Sequence, residues 1–252
     1  MTFLDCVSVA NMRESDRKTI EKHVPSLTLM YRAAMGVYRA ASWSGDIVIA
    51  AGSGNNGGDG FALACILKAE GIDCRVVTLS DKLSPDSGHF AERTKSLGVP
   101  VIPFEKGAFA GCNIVVDCLL GTGFHGAVRE PYAAAIRAIN ASGAYVISMD
   151  INSGMNGDTG EAELVVRSDL TVTIGFVKTG MLTANAGNHM KRLVVADIGI
   201  LLDQEENKIA VEWREEYAGM GNIFRCPPYL DTRVIDARDV DYSGALDGGV
   251  AD

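Results

Sequence analysis

Residues 46–70 read DIVIAAGSGNNGGDGFALACILKAE, and the order of residue types along this stretch decides the fold. Asp46 to Ala51 is short and continuously apolar, the pattern of a strand buried on both faces. Gly52 to Gly60 reads as a loop, and Phe61 to Glu70 as a helix closed by Gly71 at its C′ position. The loop contains G-x-G-x-x-G at Gly52, Gly54 and Gly57, where backbone N–H groups can approach a phosphate closely. A turn followed by a helix cap would use similar residues, and Asp59 is placed to cap a helix starting at Phe61. The density of glycine, asparagine and aspartate favours a ligand loop.

Working outward, the same rhythm recurs. On the N-terminal side, Met12 to His23 is a charged helix with a weak apolar stripe of Met12, Ile20 and Val24. Pro25 ends it, and Ser26 caps a second helix through Leu27, Met30, Tyr31, Ala34 and Val37. Downstream, strands are expected at Cys74 to Leu79, Val99 to Phe104, Asn113 to Leu120, Ala144 to Met149, Leu170 to Ile174 and Leu193 to Asp197. Helices fall between several of them, one starting at Ser84 or Asp86 and one over Pro131 to Asn140. Apolar strands alternating with helices predict a three-layer α/β/α, Rossmann-like fold with a mostly parallel central sheet. The rhythm stops near Leu202. Residues 1–202 are therefore expected to form the domain, and 203–252 a partly irregular C-terminal extension packed on it.

Composition sets the remaining bounds. The chain has 252 residues, and a hydrophobic fraction of 47% is enough to bury a core. A net charge of −9 argues against nucleic acid or anionic membrane as partner, since both repel it. No apolar run approaches transmembrane length, and no secretory signal is evident at the N-terminus. Six cysteines without a C-x-x-C pair fit buried reduced thiols in a cytoplasmic protein better than a zinc site.

In an open parallel sheet, ligands bind beyond the carboxyl ends of the strands. Three such loops here carry unusual residues. The first holds Asn55, Asn56, Gly57, Gly58 and Asp59; the second holds Gly121, Thr122, Gly123, Phe124, His125, Gly126 and Ala127. The third follows Asp150, at the end of an apolar strand, although an aspartate turn bonding its own backbone would read the same way. Asp117 lies inside an apolar strand, so its carboxylate needs a hydrogen-bond donor or a metal. Asn56, Asp117 and Ser153 together offer hard oxygen ligands, which suit a hard cation better than zinc.

The strings AGSGNNGGDGFALACIL, VVDCLLGTGFHG with EPYAAAIRAINASG behind it, and VISMDINSGMNGDTGE resemble the YjeF N-terminal domain family. MRESDRKTIEKHVPSLTLM resembles its leading helix, and TVTIGFVKTGM with VVADIGI its closing strands, so the likeness runs from about Met12 to Ile200. Two departures stand out. Tyr31-Arg32-Ala33-Ala34 replaces the family's Glu-Asn-Ala-Gly, and Asn152 replaces the proline of its D-I-P-S-G. The resemblance implies epimerisation of hydrated NADH and NADPH, which are substrates here and not redox cofactors. It assigns substrate contacts to Asn55–Asp59, Gly121–Ala127 and Asp150, and one potassium ion per subunit to Asn56, Asp117 and Ser153. Asp150 is then the candidate general acid/base and Lys178 its proton partner. Family members are often dimers, so a homodimer is expected. Many carry a fused dehydratase domain, for which the extension is too short, so that partner is expected as a separate chain. Two other readings stay open. One is a binding or scaffold protein on this fold; the other is an NAD-dependent oxidoreductase with Asp81 near the end of its second strand.

Overall fold

The structure, a computed structural model, describes residues 2–211 and 230–238. In chain order the main elements begin with β1 (Thr2–Val7), α1 (Val9–Lys22), α2 (Ser26–Ala40), β2 (Ile47–Ala51) and α3 (Asn55–Ala69). They continue with β3 (Arg75–Thr78), α4 (Pro85–Ser96), β4 (Val101–Pro103), β5 (Ile114–Cys118), α5 (Tyr132–Asn140), β6 (Tyr145–Met149) and β7 (Leu170–Ile174). The last are β8 (Val177–Lys178), the short α6 (Ala184–Gly187), β9 (Leu193–Asp197), β10 (Asn207–Val211) and β11 (Leu230–Asp236).

Eight strands form one sheet in the order β11-β9-β7-β6-β5-β2-β3-β4, and every pairing in it is parallel. The α/β fold is the one expected, with the sheet fully parallel where the sequence suggested mostly so. Strand alternation splits the core. Ile47, Ile49 and Ala51 of β2 pack with α2, α3 and α4, while Val48 and Ala50 pack with Ala135, Ile136 and Ile139 of α5. That two-sided burial is why the strands read as apolar runs.

The chain winds from β2 toward β4 in one direction and from β5 toward β11 in the other. Their seam, β2 against β5 with Ala50 opposite Asp117, is the topological switch point of the sheet. The first two ligand loops, those after β2 and β5, flank it directly.

Three local expectations change. The Gly/Asn/Asp string is not a loop: α3 begins at Asn55, so Asp59 sits inside the helix and caps nothing. Gly57 makes this possible, because a Cβ there would lie 2.1 Å from the Gly52 carbonyl oxygen. The helix is buried around most of its girth between α2, α4 and the sheet, so its apolar residues carry no single stripe that would mark its start. At the second helix, Pro25 and not Ser26 takes the N-cap position.

The third change is a second, three-stranded sheet with order β10-β1-β8, which no pattern in the sequence announced. β1 pairs antiparallel with β10 and parallel with β8, bringing Val7 beside Lys178. Residues 203–211 thus contribute a strand to the small sheet, and 230–236 add an edge strand to the large one. Among the described residues no helix is long and apolar enough to cross a membrane. Five cysteines (Cys6, Cys65, Cys74, Cys112 and Cys118) are unbridged, and Cys226 lies outside the described residues.

Candidate active site

A cavity of about 660 Å³ opens over the seam between β2 and β5. Asn55, Asn56 and Asp59 of α3 line it, as do Gly121 to His125 and Asp150. Gly57 and Gly58 face away, packed on Gly52 and Met30, and Gly126 and Ala127 lie outside its wall. The roof is α1, which contributes Met12, Arg13, Asp16 and Ile20. Asp16 and Arg13 were missed in the sequence. Met12, Asp16 and Ile20 are spaced i, i+4, i+8, so the signal was a carboxylate interrupting the apolar stripe of an otherwise charged helix.

The roof is pinned from the far end of the chain. Asn11 Nδ2 donates to the Gln204 carbonyl oxygen at 2.7 Å, the Asp203 N–H to Ser15 Oγ at 2.9 Å, and the Leu201 N–H to Thr19 Oγ1 at 2.9 Å. The floor is Asp150. Its φ of 68° makes it the sole left-handed non-glycine among the described residues, a conformation aspartate tolerates better than most. The Asp150 N–H still donates to the Val172 carbonyl oxygen at 2.8 Å, so the twist falls just where the strand ends.

Behind Asp150 lies Lys178, fully buried. Its three ammonium donors go to Asp150 Oδ1, to Thr173 Oγ1 at 3.0 Å and to the Ile174 carbonyl oxygen at 2.8 Å. A buried ammonium is costly unless paired and fully hydrogen-bonded, and here it is both. Lys178 does not reach the cavity wall, so Asp150 stands between it and any ligand.

Three aspartates share this space. Burial first, then the negative charges of Asp150 and Asp16, hold the Asp59 carboxyl well above the ordinary carboxylate range. Asp16 is raised as well, by burial and by Asp150, with Lys178 opposing. The cavity therefore presents one carboxylate backed by an ammonium beside two carboxyls driven toward their protonated form.

Beneath the second loop, Asp117 is 0% exposed. Ser153 Oγ donates to its Oδ1 at 2.5 Å, and the Leu119 N–H reaches the same oxygen at 3.3 Å. The Ser153 N–H and Ser148 Oγ donate to Oδ2 at 2.9 and 3.0 Å. Burial still raises its pKa, with the Ser153 bonds opposing. Of the two kinds of partner its position demanded, the described residues supply donors. Asn56 is different: 8% exposed, neither of its side-chain polar atoms has a hydrogen-bond partner among the described residues, and it packs against Gly121. Such an orphaned amide is what a polar ligand or a cation would complete. His125 lines the rim, with Nδ1 3.2 Å from the Gly123 carbonyl oxygen.

Comparison with known proteins gives the chain's relatives. Residues 26–180 match the family model described as YjeF-related protein N-terminus. A Limosilactobacillus fermentum protein named NAD(P)H-hydrate epimerase is 34% identical over 202 residues, covering 76% of this chain and 95% of that protein. An Archaeoglobus fulgidus protein named bifunctional NAD(P)H-hydrate repair enzyme is 36% identical, covering 78% of this chain and 42% of its own. The chain thus spans about two fifths of the bifunctional relatives and nearly all of the single-activity ones. The crystal structure of yeast YNL200c superposes with a TM-score of 0.63 at 21% identity, over 70% of this chain and 83% of that one, and so shares the fold.

Proposed function

Because this chain belongs to the YjeF-related protein N-terminus family, we propose that it interconverts the R and S epimers of hydrated NADH and NADPH. The observation that carries this reading is Asp150, aimed into the cavity at the carboxyl end of β6 and backed by a sealed lysine.

Inverting C6 of the hydrated ring requires one of its bonds to break and re-form. If C6–O breaks, the hydroxyl leaves as water after receiving a proton, and water returns to the opposite face. If C6–N1 breaks, the hydroxyl proton is removed, N1 gains a proton, and the aldehyde formed rotates and recloses. Both routes place an acid/base at the 6-hydroxyl, and Asp150 is the group that can serve there. Lys178 acts through Asp150 as a positioning residue, fixing the carboxylate's direction. Burial and the neighbouring negative charge of Asp150 raise the Asp16 and Asp59 carboxyls, which softens the repulsion that an anionic dinucleotide would meet.

Potassium is part of the proposal, and Asn56, Asp117 and Ser153 fit it. The donors are hard oxygens, and the orphaned Asn56 amide lacks a partner that a cation would supply. When bound, the ion would hold the loops together and offset phosphate charge. A cytoplasmic location is supported by five unbridged cysteines. A homodimer completes the reading.

The test mixes purified protein with separated R- and S-NADHX and follows interconversion by chromatography, alongside Asp150→Ala. Equilibration by the wild type and its loss in the variant support the assignment. No acceleration over buffer leaves a ligand-binding protein.

A further inference from the structure

The cavity is acidic, yet its proposed substrate is an anion. Asp16, Asp59, Asp86 and Asp150 line it, and among the described residues the lining holds a single lysine or arginine, Arg13. We propose that Arg13 of α1 is the phosphate-binding cation of this site, gripping the diphosphate of the dinucleotide against the loop after β5. The inference rests on the epimerase reading for its substrate class and on geometry for the rest.

Arg13 Nη2 donates to the Thr122 carbonyl oxygen at 3.1 Å, which fixes the guanidinium over the loop. A Cβ at Gly123 would sit 3.7 Å from that nitrogen, so glycine leaves the backbone open to the same space. On the loop's other flank, a Cβ at Gly121 would meet the Asn56 Cβ at 3.3 Å. The glycine loop therefore runs between Asn56 and Arg13. A guanidinium has five N–H donors, and the bond to Thr122 engages one of its nitrogens. The side chain is exposed at the mouth and forms no ion pair among the described residues, which leaves its charge for a ligand. Planar donors matched to phosphate oxygens make arginine the better choice over lysine for this task.

Roof and grip are then the same helix. The contacts of α1 to residues 201–206 hold Arg13 at a set distance from the seam, and a diphosphate seated there would bridge roof and loop.

The probe is ADP-ribose, which carries the diphosphate without the hydrated ring, titrated calorimetrically into the full chain. Arg13→Gln is expected to weaken its binding about 10- to 100-fold, the worth of a charge-assisted hydrogen bond or two. Binding should also become less sensitive to salt, while adenosine, which has no phosphate, binds both proteins alike. Arg13→Lys should fall between. With NADHX, KM should rise in Arg13→Gln while kcat stays within about twofold. Unchanged ADP-ribose affinity and salt dependence in Arg13→Gln overturn the inference, as does a wild type that fails to bind ADP-ribose. Equal loss of adenosine and ADP-ribose also overturns it, since that marks a structural role for the Thr122 bond. A protein that binds ADP-ribose through Arg13 but leaves NADHX epimers alone keeps this inference and rejects the proposed activity.

Discussion

The Lys178 ammonium ends on the Oδ1 oxygen of Asp150, tying a fully buried lysine to the sole left-handed non-glycine residue described. Each makes the other tolerable. The lysine needs a counter-charge, and the strained turn at Asp150 gains an anchor.

This pairing sets the first prediction. Asp150→Asn should lower the epimerisation rate by at least about 10²-fold, the ordinary contribution of a positioned acid/base. It should also destabilise the fold by about 3–5 kcal/mol, because a buried ammonium loses its partner. Adding Lys178→Met should recover most of that stability and none of the rate. Urea unfolding of the two single variants and the double variant measures the coupling. Strict additivity of the stability losses would refute it.

A second prediction concerns pH. The folded protein holds the Asp59 proton more tightly than the unfolded chain does. Stability from this group is present at low pH and is lost as pH rises from the unfolded carboxylate range toward the raised folded value. Asp59→Asn keeps the neutral shape and cannot ionise. Its melting temperature should match the wild type near pH 4 and exceed it by a few degrees at pH 8. Parallel melting curves at both pH values would contradict the assignment.

Glycine positions give a third. Gly57→Ala forces a Cβ to 2.1 Å from the Gly52 carbonyl oxygen, so a loss of about 3 kcal/mol or more is expected, the upper end for overpacking. Gly88, in the first half of α4, has open space around its Cβ direction. Gly88→Ala should stabilise by about 0.5–1 kcal/mol through helix propensity alone. Denaturant midpoints distinguish the two.

Potassium provides the fourth. Raising potassium chloride at constant ionic strength, against choline chloride, should raise the melting temperature of the wild type as binding shifts the folding equilibrium. Asn56→Ala should abolish most of that rise. A rise that persists in the variant would remove Asn56 from the ligand set.

How much of this was legible in advance depends on how far apart the interacting residues lie. Seven strands of the large sheet, all but β11, could be read from short apolar runs, written by two-sided burial at Ile47–Ala51 and Ile114–Cys118. The loops after β2, β5 and β6 could be read because close backbone approach demands glycine and buried polar groups demand partners. The start of α3 at Asn55 was hidden, since glycines at 57, 58 and 60 imitate a loop while serving helix packing. The roof was hidden too. Asp16 and Arg13 sit in a charged helix with a weak apolar stripe, and its seat over the cavity depends on distant contacts to Leu201, Asp203 and Gln204. No local pattern announces β1 or β8, because Val7 meets Lys178 across most of the chain.

That last pairing bears on how the protein is made. Of the described strands β1 is made first, yet its parallel neighbour holds Lys178 and its antiparallel partner ends at Val211. Elongation at roughly 5–20 residues per second keeps it waiting on the order of ten seconds or more. Through that interval its exposed edge has nothing to pair with inside its own chain. The nascent polypeptide can assemble the seam of β2 and β5 early, but the lysine that steadies Asp150 is locked beside β1 only after β8 has been made. Long-range closure of this kind is entropically slow. The small sheet and the Lys178–Asp150 pair should therefore form together, after the seam.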